Sequence, residues 1–310
     1  MGIDTLIKKV FERDINKTVV SIKRCKNVVF NINSVFIVET EDSSYVIKLY
    51  NSVDYPEKDK ALFVSGKLTE IDIPHAKIFS YTRNDEDFPN GYIINEYLHG
   101  TSADRLYLTR EETSDIYSKL ALQLSKTHKI KFTKCGFIFN GIPESVSFTT
   151  HLDTFFIYGN NNIKHVYKEN ELNEIKRILV NKLKPCDDIQ PCLCHLDIQL
   201  KNLIVDGENI TLIDWDDARA FPAVVDIARL TLMIELAYDN DVVENADNVK
   251  IYKKAFFRNY ASDDWLKLYN NHELALHVWH GLILLNFCDI HTKQHKKLHT
   301  HIDNKLNLLI

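Results

Sequence analysis

Apolar residues at positions 3, 6, 7, 10 and 11, separated by charges, keep the 3.6-residue period of a helix and predict a short amphipathic helix over residues 3–15, capping a first sheet. The pattern then changes to β-branched and aromatic runs. Residues 19–22, 28–39 and 45–50 predict strands, with Glu41-Asp42-Ser43-Ser44 as the turn between the last two. A helix over 56–69 follows, carrying Glu57 and Asp59 near its start and ending before Ile71-Asp72-Ile73-Pro74. Residues 78–81 and 92–96 add two strands across a polar connection, 82–90. The expected first domain is a five-stranded antiparallel sheet with one helix. At Asn95-Glu96-Tyr97-Leu98-His99-Gly100 the pattern turns predominantly helical, so a boundary and hinge divide residues 1–97 from 98–310. Helices are expected within 106–130, over 169–183, from Asp226 to about position 238, and in about three stretches beyond. Residues 131–160 read as aromatic loops, and 203–213 as a hairpin around Asp206-Gly207. The fold class is α+β, with two lobes.

Composition narrows the function classes. The chain has 310 residues, of which 45% are apolar and 26% charged, and a net charge of -5. That balance disfavours nucleic acid as main partner, because phosphate binding needs a clustered basic surface. No apolar run approaches the ~18 residues of a membrane span, and the N-terminal residues lack a long apolar core, so the expected location is the cytoplasm. Six irregularly spaced cysteines (25, 135, 186, 192, 194 and 288) read as reduced thiols. Cys192, Cys194 and His195 have the residue types of a zinc site, but no second ligand pair follows at finger spacing, and buried strand thiols are the preferred reading. His291, His295 and His299 recur every four residues and read as an exposed helix face. Between Asn202 and Asp247 eleven acids stand against two bases, Arg219 and Arg229, an excess that either attracts a cationic substrate or forms solvated surface with metal ligands.

The chemistry concentrates in His195-Leu196-Asp197-Ile198-Gln199-Leu200-Lys201-Asn202 and in Asp214, delivered by the hairpin. An Asp that orients and deprotonates a hydroxyl, an Asn five residues on, and a further Asp after a hairpin are the set that phosphoryl transfer requires. Lys48 interrupts the apolar residues of the third strand, as a phosphate-pairing cation does; an edge-strand Lys that guards against aggregation has the same pattern. Either Glu57 or Asp59 is placed to pair with it, and either also suits the positive N-terminus of its own helix. In the hinge, the backbone of Asn95, Glu96, Tyr97 and Leu98 offers groups to the edge of a purine.

Taken in order, these blocks resemble the aminoglycoside phosphotransferase and choline kinase superfamily, small-molecule kinases of the protein-kinase-like fold, and most closely its antibiotic phosphotransferase branch. The match lies in residues 32–38, Val46-Ile47-Lys48, 93–100, 124–128, 195–202, and Ile213-Asp214-Trp215-Asp216-Asp217-Ala218 with Asp226-Ile227-Ala228. The resemblance implies Asp197 as catalytic base or orienter, His195 as a brace of its loop, Asn202 and Asp214 as Mg²⁺ ligands, and Lys48 as the α/β-phosphate contact. It places Asp226 at a helix start, where N-capping explains it. Asp216 and Asp217 would face either substrate amines or solvent, and Glu235 is a further candidate for binding substrate. Two departures stand out: Val29 and Phe30 replace a usual Gly pair, leaving Asn31, Asn33 or Ser34 to contact phosphate, and Lys201 replaces a frequent Gly. The implied activity is transfer of the γ-phosphate of ATP or GTP to a hydroxyl of a small molecule, an aminoglycoside or other antibiotic, by a monomer or homodimer. Metabolic kinases of choline, sugar or homoserine type, or a nucleotide-binding regulatory module, are the alternatives.

Overall fold

The computed structural model describes residues 2–25, 33–144, 147–158, 162–236, 246–260 and 263–310. The chain divides into two compact units, the first comprising residues 1–101, 139–141 and 204–216 and the second the remainder. This differs from a single cut between 97 and 98, because the hairpin after the 195–202 loop belongs to the first unit.

In chain order the elements are α1 (Ile3–Ile15), β1 (Ser21–Arg24), β2 (Ser34–Glu39), β3 (Ser44–Leu49), α2 (Lys60–Glu70), β4 (Ile78–Thr82), β5 (Tyr92–Glu96), β6 (Thr101–Ser102), α3 (Arg110–Thr127), β7 (Gly136–Phe139), β8 (Ile142–Pro143), α4 (Phe148–Tyr158), α5 (Glu169–Leu183), β9 (Cys192–Cys194), β10 (Leu203–Asp206), β11 (Asn209–Leu212), β12 (Arg219–Phe221), α6 (Ala223–Leu236), α7 (Ala246–Tyr260), α8 (Asp263–Phe287) and α9 (Lys293–Leu309). Short 3₁₀ turns occur between several of them.

The first unit is built on an antiparallel sheet in the order β1-β2-β3-β5-β4. Strand β3 alternates: Tyr45, Ile47 and Leu49 are buried, while Val46 and Lys48 take the other face. The period of two puts the first set in the core with Phe36, Val38, Tyr92 and Ile94, where Ile7, Val10 and Phe11 of α1 cover them. Lys48, opposite Val35 of β2 and Ile93 of β5, is therefore a central-strand cation and not an edge guard. Helix α2 starts at Lys60, four residues later than expected, because Asp59 before it is left-handed at φ 60°. Residues 28–32 of the expected second strand, including Val29, Phe30 and Asn31, lie outside the described residues. Gly100, at φ 123°, lets the chain pass against the Val205 carbonyl of β10, where a Cβ would collide.

The second unit is mostly helical. Thr109 and Glu112 close a capping box at the start of α3, and α3 packs along α7. Helix α6 is buried on nearly every face, as a central helix must be. A small sheet runs β8-β7-β12-β9. Residues 131–160 hold more order than expected: β7, β8 and α4, whose Phe148, Leu152 and Phe156 are buried. Helix α6 begins at Ala223, so Asp226 lies in its first turn instead of capping it; the expected end near 238 lies outside the described residues. The exposed-face reading of the last histidines fails at His295, which shares the buried stripe of α9 with Leu298, Ile302 and Leu306, while His291 precedes the helix. Among the described residues no helix is long and apolar enough to cross a membrane.

Candidate active site

In the first unit, Lys48 Nζ lies 2.8 Å from Asp214 Oδ1 and 2.9 Å from Asp216 Oδ2. Asn33 Nδ2 donates to Asp216 Oδ2 at 3.1 Å, and Asn33 Oδ1 accepts from the Asn51 N–H. Burial works to lower the Lys48 pKa, but Asp214 and Asp216 outweigh it, so the ammonium stays charged above its usual range. Burial raises the Asp216 pKa, Lys48 draws it down and Asp214 pushes it up; the net direction is upward. Asp214 adopts φ 65°, a left-handed conformation that costs a non-glycine residue energy and recurs at functional sites.

These contacts revise several expectations. Neither Glu57 nor Asp59 is the partner of Lys48. Glu57 forms a buried ion pair with Lys60, and Asp59, ahead of the helix, donates its backbone N–H to Tyr81 Oη. Asp216 is held among Lys48 and Asn33 and is not presented to a substrate amine. Asn33 is committed through both ends of its amide, and Ser34 begins β2 opposite Leu49. Asn95 pairs with Val46 and Ile78 within the sheet, and the Glu96 N–H donates to Lys77 O at 2.8 Å. Tyr97 and Leu98 follow β5 directly.

In the second unit, Asp197 is the centre. Its Oδ1 accepts from Arg229 Nη2 at 2.9 Å and Gln199 Nε2 at 2.7 Å; its Oδ2 accepts from Asn202 Nδ2 at 2.8 Å. Asn202 Nδ2 also donates to the Asp197 carbonyl. Burial works to raise the Asp197 pKa, but Arg229 and then Lys201 outweigh it and hold the carboxyl below its usual range. The loop bearing it is braced from α6. Asp226 is fully buried and accepts from the N–H groups of His195 and Leu196, at 2.9 and 2.7 Å, and meets His128 Nε2 at 3.0 Å. His128, at the end of α3, meets Tyr260 Oη through Nδ1 at 2.6 Å. Burial opposes charge on this pair, but the His128 contact lowers the Asp226 pKa, and Cys192 and Asp226 raise that of His128. These backbone contacts replace the N-cap role expected for Asp226. His195 is buried and its Nδ1 accepts from the Asp197 N–H, a brace for the loop.

Arg229 was legible in the sequence only as one of two bases in an acidic stretch. Its signal is its place three residues after Asp226, which puts both on neighbouring positions of one helix face. Glu235 is not a substrate acid. Lys253 and Lys305 each approach it at 2.7 Å and His301 at 3.2 Å; burial works upward on its pKa, but these cations outweigh it and drive it far down. Asp217 is half-buried in the turn after Asp214. Of the acids in this stretch, Asp214, Asp216, Asp226 and Glu235 are held in internal pairs, Asp206, Glu208 and Asp247 are exposed, and Asp239, Asp241 and Glu244 lie outside the described residues.

A search of known proteins supplies an independent view. No curated protein matches the sequence. Among solved structures, a thermostable mutant of aminoglycoside phosphotransferase APH(4)-Ia, in ternary complex with AMP-PNP and hygromycin B, superposes with TM-score 0.71 at 13% identity, covering 97% of this chain and 98% of that one. Plasmodium vivax ethanolamine kinase gives 0.67 at 15%, covering 100% and 91%. Choline kinase LicA from Streptococcus pneumoniae gives 0.63 at 14%, covering 98% and 99%. At such identities the likeness establishes the fold alone, α+β and protein-kinase-like. Residues 31–266, most of the chain and all of the residues described around Lys48, Asp197 and Asp214, match the model of the phosphotransferase enzyme family, and the chain belongs to that family.

Proposed function

We propose that this phosphotransferase moves the γ-phosphoryl group of ATP or GTP, with Mg²⁺, to an alcohol group of a small molecule. The observation that carries the reading is the Asp197 carboxylate, fixed by Arg229, Gln199 and Asn202 and kept ionised by Arg229. A directed, ionised carboxylate is the group that aligns an acceptor hydroxyl and takes its proton as the phosphoryl group transfers. Lys48 holds two carboxylates in the first unit, and an ammonium suited to them suits phosphate oxygens equally. Asn95 and the Glu96 N–H being committed to the sheet, the backbone groups of Tyr97 and Leu98 are the proposed purine contacts.

Asn202 and Asp214 are the proposed Mg²⁺ donors, and the group fits the residues: Asn202 commits Nδ2 to Asp197, which leaves Oδ1 as a hard oxygen ligand. When bound, the ion neutralises charge on the transferring phosphates. An aminoglycoside or other antibiotic is the leading acceptor class, as in the hygromycin B complex of similar fold; an amino alcohol is second, after the ethanolamine and choline kinases. The buried thiols of Cys135, Cys186, Cys192, Cys194 and Cys288 are not in disulfides, which suits a reducing cytoplasm as the site of action.

The test is nucleotide consumption by the full chain with ATP or GTP and Mg²⁺, across a panel of antibiotics and small metabolic alcohols. Acceptor-dependent consumption is expected, falling about 10²–10⁴-fold in Asp197→Ala with the urea midpoint near that of the parent. Tight nucleotide binding with silence toward every acceptor overturns the reading.

A further inference from the structure

Strand β9 leads directly into the Asp197 loop, and its period of two puts Cys192 and Cys194 on one face. Their sulfurs are 3.8 Å apart, and both residues are fully buried. His195, the next residue, has the composition of a co-ligand but not the position, since its Nδ1 is engaged by the Asp197 N–H. The imidazole that reaches the two sulfurs comes instead from His128, far upstream at the end of α3: one ligand atom from each of His128, Cys192 and Cys194 lies within 4.8 Å of the others. We infer that these three residues form a binding site for one thiophilic metal ion of the zinc type.

The geometry matches the chemistry. With metal–sulfur bonds of about 2.3 Å at a tetrahedral angle, two thiolates on one ion stand about 3.8 Å apart, the separation already present. Tyr260 Oη on His128 Nδ1 is the outer partner that a metal-bound imidazole requires to fix its ring. Because all three ligands are buried, an ion here is loaded as the chain folds. Without metal the thiols are satisfied more weakly: Cys192 and Cys194 both reach the Phe221 carbonyl, at 3.4 and 3.2 Å, and Cys194 also reaches Pro222 O at 3.8 Å.

Binding displaces the thiol protons and takes His128 Nε2 from Asp226, the same carboxylate that holds the His195 and Leu196 N–H groups. An ion here therefore reaches the Asp197 loop through Asp226, and metal occupancy is expected to change turnover. That consequence rests on the phosphotransferase reading; the binding itself does not.

The experiment titrates Cd²⁺ into a full-length variant in which Cys25, Cys135, Cys186 and Cys288 are replaced by Ser, following the ultraviolet charge-transfer band of cadmium thiolate. One equivalent is expected to saturate the band, and Cys192→Ser with Cys194→Ser to abolish it while far-ultraviolet circular dichroism stays native. Absence of the band in the folded variant, or its survival in the double replacement, overturns the site. Zinc-edge X-ray absorption of the zinc-loaded parent chain needs no substitution: two sulfur ligands with nitrogen or oxygen support the site, and a shell of nitrogen and oxygen alone overturns it.

Discussion

Asp197 and Arg229 show how one cation decides the behaviour of a base. Burial alone would push the Asp197 carboxyl above the ordinary ~3.9, and the guanidinium at 2.9 Å reverses the direction. A base must be ionised to act, so activity is lost as pH falls through its pKa. Removing Arg229 leaves the burial and takes away the compensation; the acid limb of kcat/KM then moves to higher pH. Arg229→Ala is expected to shift the limb upward and to lower kcat about 10²-fold through lost alignment, whereas Arg229→Lys restores the position of the limb but only part of the rate. Coincident pH profiles for the Ala variant and the parent would refute this role. The local parts of this site were legible: Asp197 and Asn202 are five residues apart, and Lys48 is a cation in an apolar strand. Their partners were not. Asp214 and Asp216 reach Lys48 from 166 and 168 residues along the chain, a closure that no local pattern encodes, and Glu57 is diverted by Lys60 in its own turn.

At the scale of elements, legibility followed periodicity. Helix α5 and strand β5 fall at the residues their patterns predict. Helix α4 was passed over because aromatic residues dominate it, although Phe148, Leu152, Phe155 and Phe156 keep helical spacing. The late start of α2 depends on a backbone conformation at Asp59, which apolar patterning does not report. Packing between helices was equally hidden, and α8 against α9 is the sharpest case. Gly281 faces Ile302, which is fully buried, so a Cβ at 281 would overlap the end of the isoleucine side chain. Alanine improves helix propensity by ~1 kcal/mol, whereas overpacking a filled interior costs about 1–3 kcal/mol. Because Ile302 has no open space to move into, the second effect wins. Gly281→Ala should lower the urea midpoint, and adding Ile302→Val should recover part of the loss as a non-additive gain. Simple additivity of the two replacements would show that the helices do not meet through this pair.

Across the whole molecule, the response to acid is unevenly distributed, because the strongly suppressed histidines lie in the second unit. His151 and His280 are buried and have pKa values lowered to about 3, chiefly by burial and then by Arg219 and Arg229 respectively. In the unfolded chain each titrates near ~6.5. Between those values each of these imidazoles carries a proton in the unfolded chain that it lacks in the folded one, and so costs about 1.4 kcal/mol of stability per pH unit on acidification; His277, whose pKa burial drives well down, acts in the same sense. Asp226 and Asp187, whose folded pKa values are depressed, add stability that is present above the unfolded carboxylate pKa and lost as pH falls through the folded one. His128 acts in the opposite sense: its pKa is raised, so its contribution is complete below ~6.5 and is lost as pH rises through the folded value. The suppressed His151, His277 and His280 outweigh one raised histidine over this range, and the second unit should be most stable near neutral pH. Two of the three tryptophans, Trp265 and Trp279, lie in that unit, and Trp279 packs beside His280, so with Trp215 of the first unit replaced by Phe tryptophan fluorescence reports its unfolding. Urea midpoints read this way should fall steadily from pH 7 to pH 5, and His151→Gln, which retains an acceptor for Arg219 but cannot titrate, should make the slope shallower by one histidine's share. A midpoint independent of pH would mean that these imidazoles are protonated in the folded chain.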